Sequence, residues 1–365
     1  MAAHKKLTVL LLFGGKSTEH EVSVVSARGI YNALDKNKYD VVLAGIDHDG
    51  RWQLQGGAER MLLEGSVEQA GGTQVLPTAL NGGLTLRGAT DGDTHKIDVV
   101  FPIIHGTGGE DGTLQGLLEL IEVPYVGCGV LGSAVGMDKD VAKRLVAAAG
   151  IPVARTIVVR PHTHISQAVR DFTATVGFPV FVKPASLGSS VGVVKVADAE
   201  NLQQAIEAAF FYDTKVLIEE GIVGREIEVA VLGNDVPEAS VPGEVTPTHD
   251  FYSYEAKYID EAGAALQIPA ALTKAEQQEA QRLACKIFQT LELSGMARVD
   301  FFYTPSGTWV FNEVNTAPGF TPISMYPKLW ECSGLPYPQL LDRLIELARQ
   351  RYEVRRAVQR KFKIS

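Results

Sequence analysis

Near its start the chain runs LTVLLLF, Leu7–Phe13, apolar apart from Thr8. A strand with one wet face alternates apolar and polar side chains. A strand without alternation is buried on both faces, as in a parallel sheet covered by helices. The residues that follow fit that setting. Gly14-Gly15-Lys16-Ser17-Thr18-Glu19-His20-Glu21 is a polar, glycine-rich turn, Val22–Leu34 is amphipathic at helical spacing, and Tyr39–Asp47 is again strand-like. Strand, loop, helix and strand in this order make an α/β unit. Gly15-Lys16-Ser17 imitates the end of a P-loop, but the first glycine of that motif would fall at Leu10, and the dinucleotide fingerprint is absent. Position still points to a ligand, because open α/β sheets bind at the carboxyl ends of their strands.

Further elements follow from the same patterns. Ile97–Ile104 reads as a buried strand ending in His105-Gly106-Thr107-Gly108-Gly109-Glu110-Asp111-Gly112, with a helix over Thr113–Glu122 and a short strand over Val123–Val126. A histidine at a strand's carboxyl end is structural or catalytic, and both readings stay open for His105. Residues 51–95 are weakly patterned and glycine-rich, which predicts irregular surface structure. Small residues over Gly127–Met137 mark a domain edge, and Asp138 is expected to cap a helix over Lys139–Ala149. Phe178–Val182 is a strand leading into Lys183 and a small-residue loop to Val193. Such a loop can aim backbone N–H groups at phosphates or be a plain hairpin, and a lysine inside an apolar strand just before it favours the phosphate clamp. Asn201–Phe211 reads as a helix, Val216–Glu219 and Ile227–Leu232 as strands. Residues 243–261 hold four aromatics and Lys257 with little periodicity, a lid or a plain Ω-loop. Thr273–Leu291 reads as the longest helix, with a Thr273/Glu276 capping box, and Pro338–Arg360 as a terminal helix whose basic end is solvated.

The bounds on function are broad. A chain of 365 residues suggests two or three domains. A net charge of −9 argues against nucleic acid as the main partner. Cys128, Cys285 and Cys332 have no metal spacing and read as ordinary buried thiols of a reduced cytoplasm. The opening apolar run could pass for a signal peptide, but its seven residues are a strand length and polar GKSTEHE follows; no run approaches a membrane span.

The chemistry concentrates in Gly295–Met325. Arg298–Tyr303 and Thr308–Val314 flank Thr304-Pro305-Ser306-Gly307, which fits a type I turn and hence a hairpin. Pairing across that turn sets Arg298 opposite Glu313 and Asp300 opposite Phe311, so Arg298, Asp300, Glu313 and Asn315 share one face. Two readings are open. One is a cross-strand ion pair on a solvated sheet. The other is a magnesium site, because Mg²⁺ binds through one or two carboxylates together with substrate phosphates.

This hairpin, with its string R-V-D…N-E-V-N-T-A-P-G-F-T, resembles the metal-binding signature of ATP-grasp carboxylate–amine ligases, the D-alanine–D-alanine ligases in particular. Eight stretches match in order: GGKSTEHEVS, FPIIHGTGGEDGTLQG, MDKDVAKRL, FVKPASLGSSVGV, GREIEVAVLG, FYSYEAKYI, ARVD and NEVNTAPGFT. The resemblance implies an N-terminal parallel-sheet α/β domain (1–127) followed by the central (128–223) and C-terminal (224–365) domains of an ATP-grasp fold. It implies a cytoplasmic, usually dimeric enzyme that joins two D-alanines with ATP and two Mg²⁺ (or Mn²⁺) ions for peptidoglycan, with no nucleic-acid or membrane partner. Lys139 and Lys183 would hold phosphates under a loop carrying Ser189 and Ser190, and Glu219 and Glu226 would face the adenosine. Asp300, Glu313 and Asn315 would hold the metals. Glu19 would bind the first ammonium, linked through Ser189 to Tyr258 on the lid, with His105 near the first carboxylate. Arg298 and the Gly319 amide would stabilise the oxyanion, Ser324 and Met325 would receive the second D-alanine, and Lys257 would approach the γ-phosphate. The competing readings are a D-alanine–D-lactate ligase, against which Lys257-Tyr258 argues, and a non-catalytic nucleotide binder, against which the Asp300/Glu313/Asn315 set argues.

Overall fold

A computed structural model describes residues 5–54, 59, 60, 62, 73–79, 83–88, 94–161, 167–247 and 264–358. Its first sheet contains β1 (Leu7–Gly14), β2 (Tyr39–Ile46), β3 (Trp52–Leu54), β4 (Thr73–Ala79), β5 (Leu84–Gly88), β6 (Thr94–Lys96) and β7 (Val99–Ile103), in the order β6-β5-β4-β3-β2-β1-β7. The strands β2, β1 and β7 are parallel. Val9 to Phe13 in β1 are wholly buried, because both faces are covered. Val9, Leu11 and Phe13 pack towards helix α1 (His20–Ala33), while Leu10 and Leu12 meet Leu114 and Leu118 of α2 (Thr113–Ile121).

The rest of that sheet departs from expectation. Residues 51–95 were expected to be irregular, yet β3 to β6 extend the sheet by antiparallel pairing. These strands are 3 to 7 residues long and partly exposed, so they leave little periodicity to read. Within Val123–Val126, only an isolated bridge from Tyr125 to Val100 forms. The small residues of Gly127–Met137 include a helix, α3 (Val130–Met137), which runs directly into α4 (Lys139–Ala148) through Asp138. The Asp138 side chain accepts from the Val141 N–H at 3.1 Å, the expected cap.

A second sheet contains β8 (Thr156–Val159), β9 (Val180–Pro184), β10 (Val194–Val196) and β11 (Val216–Glu220), all antiparallel, in the order β10-β9-β11-β8. Its Val180, Val182, Val216 and Ile218 face α5 (Gln167–Val176) and α6 (Leu202–Phe210). Alternation then puts Lys183 and Glu219 on the opposite face.

The third sheet is built around β12 (Arg225–Gly233), with β13 (Glu238–Ala239), β14 (Gly243–Pro247), β15 (Ala264–Gln267), β16 (Gly295–Tyr303) and β17 (Trp309–Asn315). One face packs on α7 (Lys274–Thr290), capped by the expected Thr273/Glu276 box. The other face is closed at one end by α8 (Met325–Cys332) and α9 (Tyr337–Ala357), which share a core with β1 and α1. The first sheet therefore meets the third through a single core, and the site lies at that junction.

Three further expectations are corrected. The longest described helix is α9 with 21 residues, against 17 in α7, the order that the expected bounds Pro338–Arg360 and Thr273–Leu291 themselves imply. Arg351 in α9 is half-buried and paired rather than solvated: it donates to Ser294 Oγ at 2.7 Å, to Tyr125 O at 3.0 Å and to Gly127 O. All three cysteines are free thiols, but only Cys128 is buried; Cys332 is exposed. Among the described residues no helix is long and apolar enough to cross a membrane.

Candidate active site

The hairpin of β16 and β17 reaches its functional face by an unexpected route. The turn forms as its residues predict, with Gly307 N–H donating to Thr304 O at 2.9 Å. Gly307 then adopts φ +80°, a conformation that suits glycine and makes a bulge after the type I turn. Pairing resumes one residue later than expected, with Tyr303 opposite Trp309 and Phe301 opposite Phe311. Alone, that slip would turn Glu313 and Asn315 to the core face. A second irregularity leaves Asn312 without an opposite residue and restores the phase. The expected pairs Arg298–Glu313 and Asp300–Phe311 are therefore absent. Asp300 stands opposite Glu313 and Arg298 opposite Asn315, so all four still share one face. Glu228 of β12 lies opposite Asp300, which makes a row of three carboxylates, Glu228, Asp300 and Glu313, across three strands.

Each cation near this row has an acidic partner. Arg298 donates to both Asp300 oxygens, at 2.8 and 2.7 Å, and lies 3.0 Å from Glu228 Oε2. Lys139 Nζ, at the start of α4, lies 3.3 Å from Glu313 and donates to Leu187 O at 2.6 Å. On the second sheet, Lys183 pairs with Glu219 at 2.5 Å, and Lys143 approaches the same carboxylate at 3.2 Å. Burial alone would raise the Glu219 carboxyl, but the ammonium groups of Lys143 and Lys183 hold it below its usual range. Burial pushes the Lys143 ammonium down to about 8 despite Glu219. Glu226 lines a small pocket together with Glu228, Asp300 and Glu313.

The loops after β1 and β7 face the same cleft. Glu19, 6 % exposed, accepts a hydrogen bond from Ser189 Oγ. Ser189 and Ser190 both have positive φ, at 53° and 60°, an uncommon backbone for serine that persists where surrounding structure holds it. His105 contacts Ala317 O at 2.9 Å through Nδ1 and Ser26 Oγ at 3.2 Å through Nε2, and lies 3.6 Å from Glu110. It thereby ties the β7 loop to the turn that carries Gly319. Burial lowers the His105 imidazole, but Glu110 and Glu19 outweigh it and the net shift is upwards. Ser324 stands at the N-cap position of α8 without a side-chain capping bond, and its Oγ accepts from the preceding Thr321 N–H at 3.0 Å.

Glu19, Lys139, Ser189, Arg298, Glu313, Asn315, Gly319, Ser324 and Met325 line one cleft of roughly 900 Å³, counting its open mouth. His105 and Asp300 do not line it but pair with Glu110 and Arg298, which do; Lys183 and Glu219 pair with each other and with Lys143, outside its lining. Of the expected lid, 243–247 forms strand β14 rather than loop, and Tyr258 and Lys257 lie outside the described residues. Sequence reasoning missed Glu228, Glu110 and Lys143. Glu228 carried a faint signal, an acid two residues after Glu226 in an apolar strand; the other two had none beyond their residue type.

A metal ion suits this donor set. The Asn315 Oδ1 atom is buried without a hydrogen-bond partner, next to two carboxylates on one face. Among the described residues no group of three or more His, Cys, Asp or Glu is placed to hold a metal ion. Mg²⁺ does not need one, because it keeps waters and completes its shell with phosphate oxygens.

The family model for the D-ala D-ala ligase N-terminus matches residues 8–128, and that for the C-terminus matches residues 145–346. The D-alanine--D-alanine ligase of Oceanobacillus iheyensis is 50% identical over 352 residues, covering 95% of this chain and 96% of the relative. The D-alanine--D-alanine ligase A of Escherichia coli K12 is 47% identical over 356 residues, covering 95% and 97%. Among solved structures, the D-alanine-D-alanine ligase from Coxiella burnetii superposes with a TM-score of 0.86 at 41% identity, covering 96% of each chain. The VanG D-Ala:D-Ser ligase from Enterococcus faecalis does so with 0.84 at 38%, covering 94% of this chain and all of that one. With both halves matched by one family's models and near-full-length relatives at about half identity, this chain belongs to the D-alanine–D-alanine ligase family.

Proposed function

We propose that this chain joins two D-alanines to D-alanyl-D-alanine at the expense of ATP, supplying a peptidoglycan precursor. A carboxylate is a poor electrophile. Transfer of the γ-phosphoryl group of ATP to the first D-alanine's carboxylate gives an acyl phosphate and ADP. The neutral amine of the second D-alanine attacks that carbonyl, the C–O bond to phosphate breaks, and the amine loses a proton. The products are the dipeptide, ADP and phosphate.

The chain's residues divide this work. Glu19, held by Ser189, receives the first ammonium, and His105 stands near the first carboxylate. Lys139 and Lys183 exchange their carboxylate partners for phosphate oxygens under the Ser189–Ser190 loop, while Glu219 and Glu226 face the adenosine. Arg298 and the Gly319 N–H meet the oxyanion that develops on the attacked carbonyl, where donors fixed in advance act most strongly. Ser324 and the Met325 N–H, at the start of α8, receive the second carboxylate. Tyr258 and Lys257 close over the reactants and exclude water. Asp300, Glu313 and Asn315 are the ligands for two Mg²⁺ or Mn²⁺ ions, which when bound neutralise phosphate charge. The chain works as three units, 1–127, 128–223 and 224–365, in a cytoplasmic homodimer.

The observation that carries this reading is the convergence, in one cleft, of Glu19 from the first sheet, Ser189 from the second and the Arg298/Glu313/Asn315 face of the third. The test is isotope transfer. D-alanine labelled with ¹⁸O in its carboxylate should pass one ¹⁸O to phosphate for each dipeptide formed. Dipeptide formation with unlabelled phosphate would overturn the acyl-phosphate route.

A further inference from the structure

Arg298 lies between two acids, and one of its atoms faces both. Its Nε–H donates to Asp300 Oδ1 at 2.8 Å, and Nη2 donates to Asp300 Oδ2 at 2.7 Å. Glu228 Oε2 stands 3.0 Å from that same Nε. A guanidinium Nε carries a single hydrogen. Asp300 holds it, so Glu228 meets this atom as a charge rather than as its hydrogen-bond acceptor. The side chains of Glu228 and Asp300 are each 12% exposed. Because β12 sets Glu228 directly opposite Asp300, both carboxylates reach Nε without any movement of backbone.

This arrangement creates a conflict at Asp300. The reading above asks that carboxylate to turn a lone pair towards a divalent cation, and the cation and the Arg298 guanidinium repel each other. Arg298 must also remain in place, since it faces the reacting carbonyl. We propose that Glu228 is a positioning residue that takes the Arg298 Nε–H as Asp300 engages the metal, so that Arg298 neither competes for Asp300 nor leaves the oxyanion position. A buried charge left without its partner is costly, so a second acid at 3.0 Å is what such a handover requires. The proposal rests on the metal reading of Asp300.

The test measures metal binding directly. Free Mn²⁺ is counted by its electron paramagnetic resonance signal during titration of the full-length protein in the presence of ADP. Asp300→Asn is the control for the site itself. Glu228→Gln is expected to weaken Mn²⁺ binding about tenfold, in the range of ordinary coupling between sites. In an Arg298→Gln background the same substitution should change affinity by less than about twofold, because the residue it acts through is gone. If Asp300→Asn leaves Mn²⁺ affinity unchanged, the metal reading falls and this proposal with it. If Asp300→Asn weakens binding but Glu228→Gln does not, only the proposal falls. It falls also if Glu228→Gln weakens Mn²⁺ equally with and without Arg298, since Glu228 would then act by its own charge on the cation. Should Glu228→Gln not fold, Glu228→Asp draws the charge back by one methylene; a smaller loss of affinity is expected, and wild-type affinity would overturn the handover.

Discussion

Two glycines in the loop after β7 offer a controlled perturbation of the first substrate site. Gly106 and Gly108 both have positive φ, at +74° and +84°. Alanine at either position costs roughly 1–2 kcal/mol of backbone strain. Their surroundings differ. A Cβ on Gly106 would sit 2.7 Å from Glu19 Oε2, whereas one on Gly108 meets nothing within 4 Å. Gly106→Ala therefore displaces the Glu19 carboxylate from the position in which it meets Ser189 and the proposed ammonium; Gly108→Ala brings the strain alone. Losing a hydrogen bond to a charged group costs about 1.5–3 kcal/mol. That corresponds to a rise of roughly 10- to 150-fold in the KM of the first D-alanine. The KM for ATP should stay within about twofold, because Lys139 and Lys183 are outside this contact. Initial rates of ADP release, with D-alanine and ATP varied in turn, provide the assay. Equal losses in the two variants, or a matching rise in the KM for ATP, would refute the placement of Glu19.

Further predictions follow from other parts of the site. Glu313→Gln should lower kcat by about three orders of magnitude with the circular dichroism spectrum unchanged, since a neutral amide opposes Mg²⁺ poorly; near-normal turnover at ordinary magnesium would remove Glu313 from the metal site. Tyr258→Phe should raise the share of depsipeptide when D-lactate competes with D-alanine, most of all at lower pH where the amine stays protonated, and a product ratio that follows wild type at every pH would show that Tyr258 is not the selector. Burial holds the Lys143 ammonium at about 8, against 10.5 for the ordinary side chain. Between those values the unfolded chain binds a proton that the folded chain has released, so stability rises with pH across that window. The melting temperature of wild type should thus gain on that of Lys143→Met from pH 8 to 10; parallel curves would place Lys143 in water.

How much was legible depended on how local the signal was. The β1 run, the Thr273/Glu276 box and the Asp138 cap are decided by adjacent residues, and each forms as expected. The hairpin was legible as a hairpin and its face was right, but its pairing was wrong by one residue at the turn. Gly307 at the fourth turn position is itself the signal for a bulge after a type I turn, and the expected pairing left it out; nothing in Asn312 announces the bulge that compensates for it, which packs Phe301, Trp309 and Phe311 into the core. Strands β3 to β6 were hidden because short, half-exposed antiparallel strands lack a buried run. Partners from distant strands were not legible. That Glu228 faces Arg298, that Lys143 shares Glu219 with Lys183, and that Arg351 packs against Tyr125 all follow from strand order and helix docking.

The central claim is that ATP is spent to join D-alanine to itself. The most direct measurement is ADP release by the purified chain with magnesium, supplied with D-alanine, with L-alanine or with neither, and the product counted by mass. One ADP for each D-alanyl-D-alanine, with release near background in the two other mixtures, is the predicted result. ADP release at the same rate without D-alanine, or with L-alanine in its place, would contradict it.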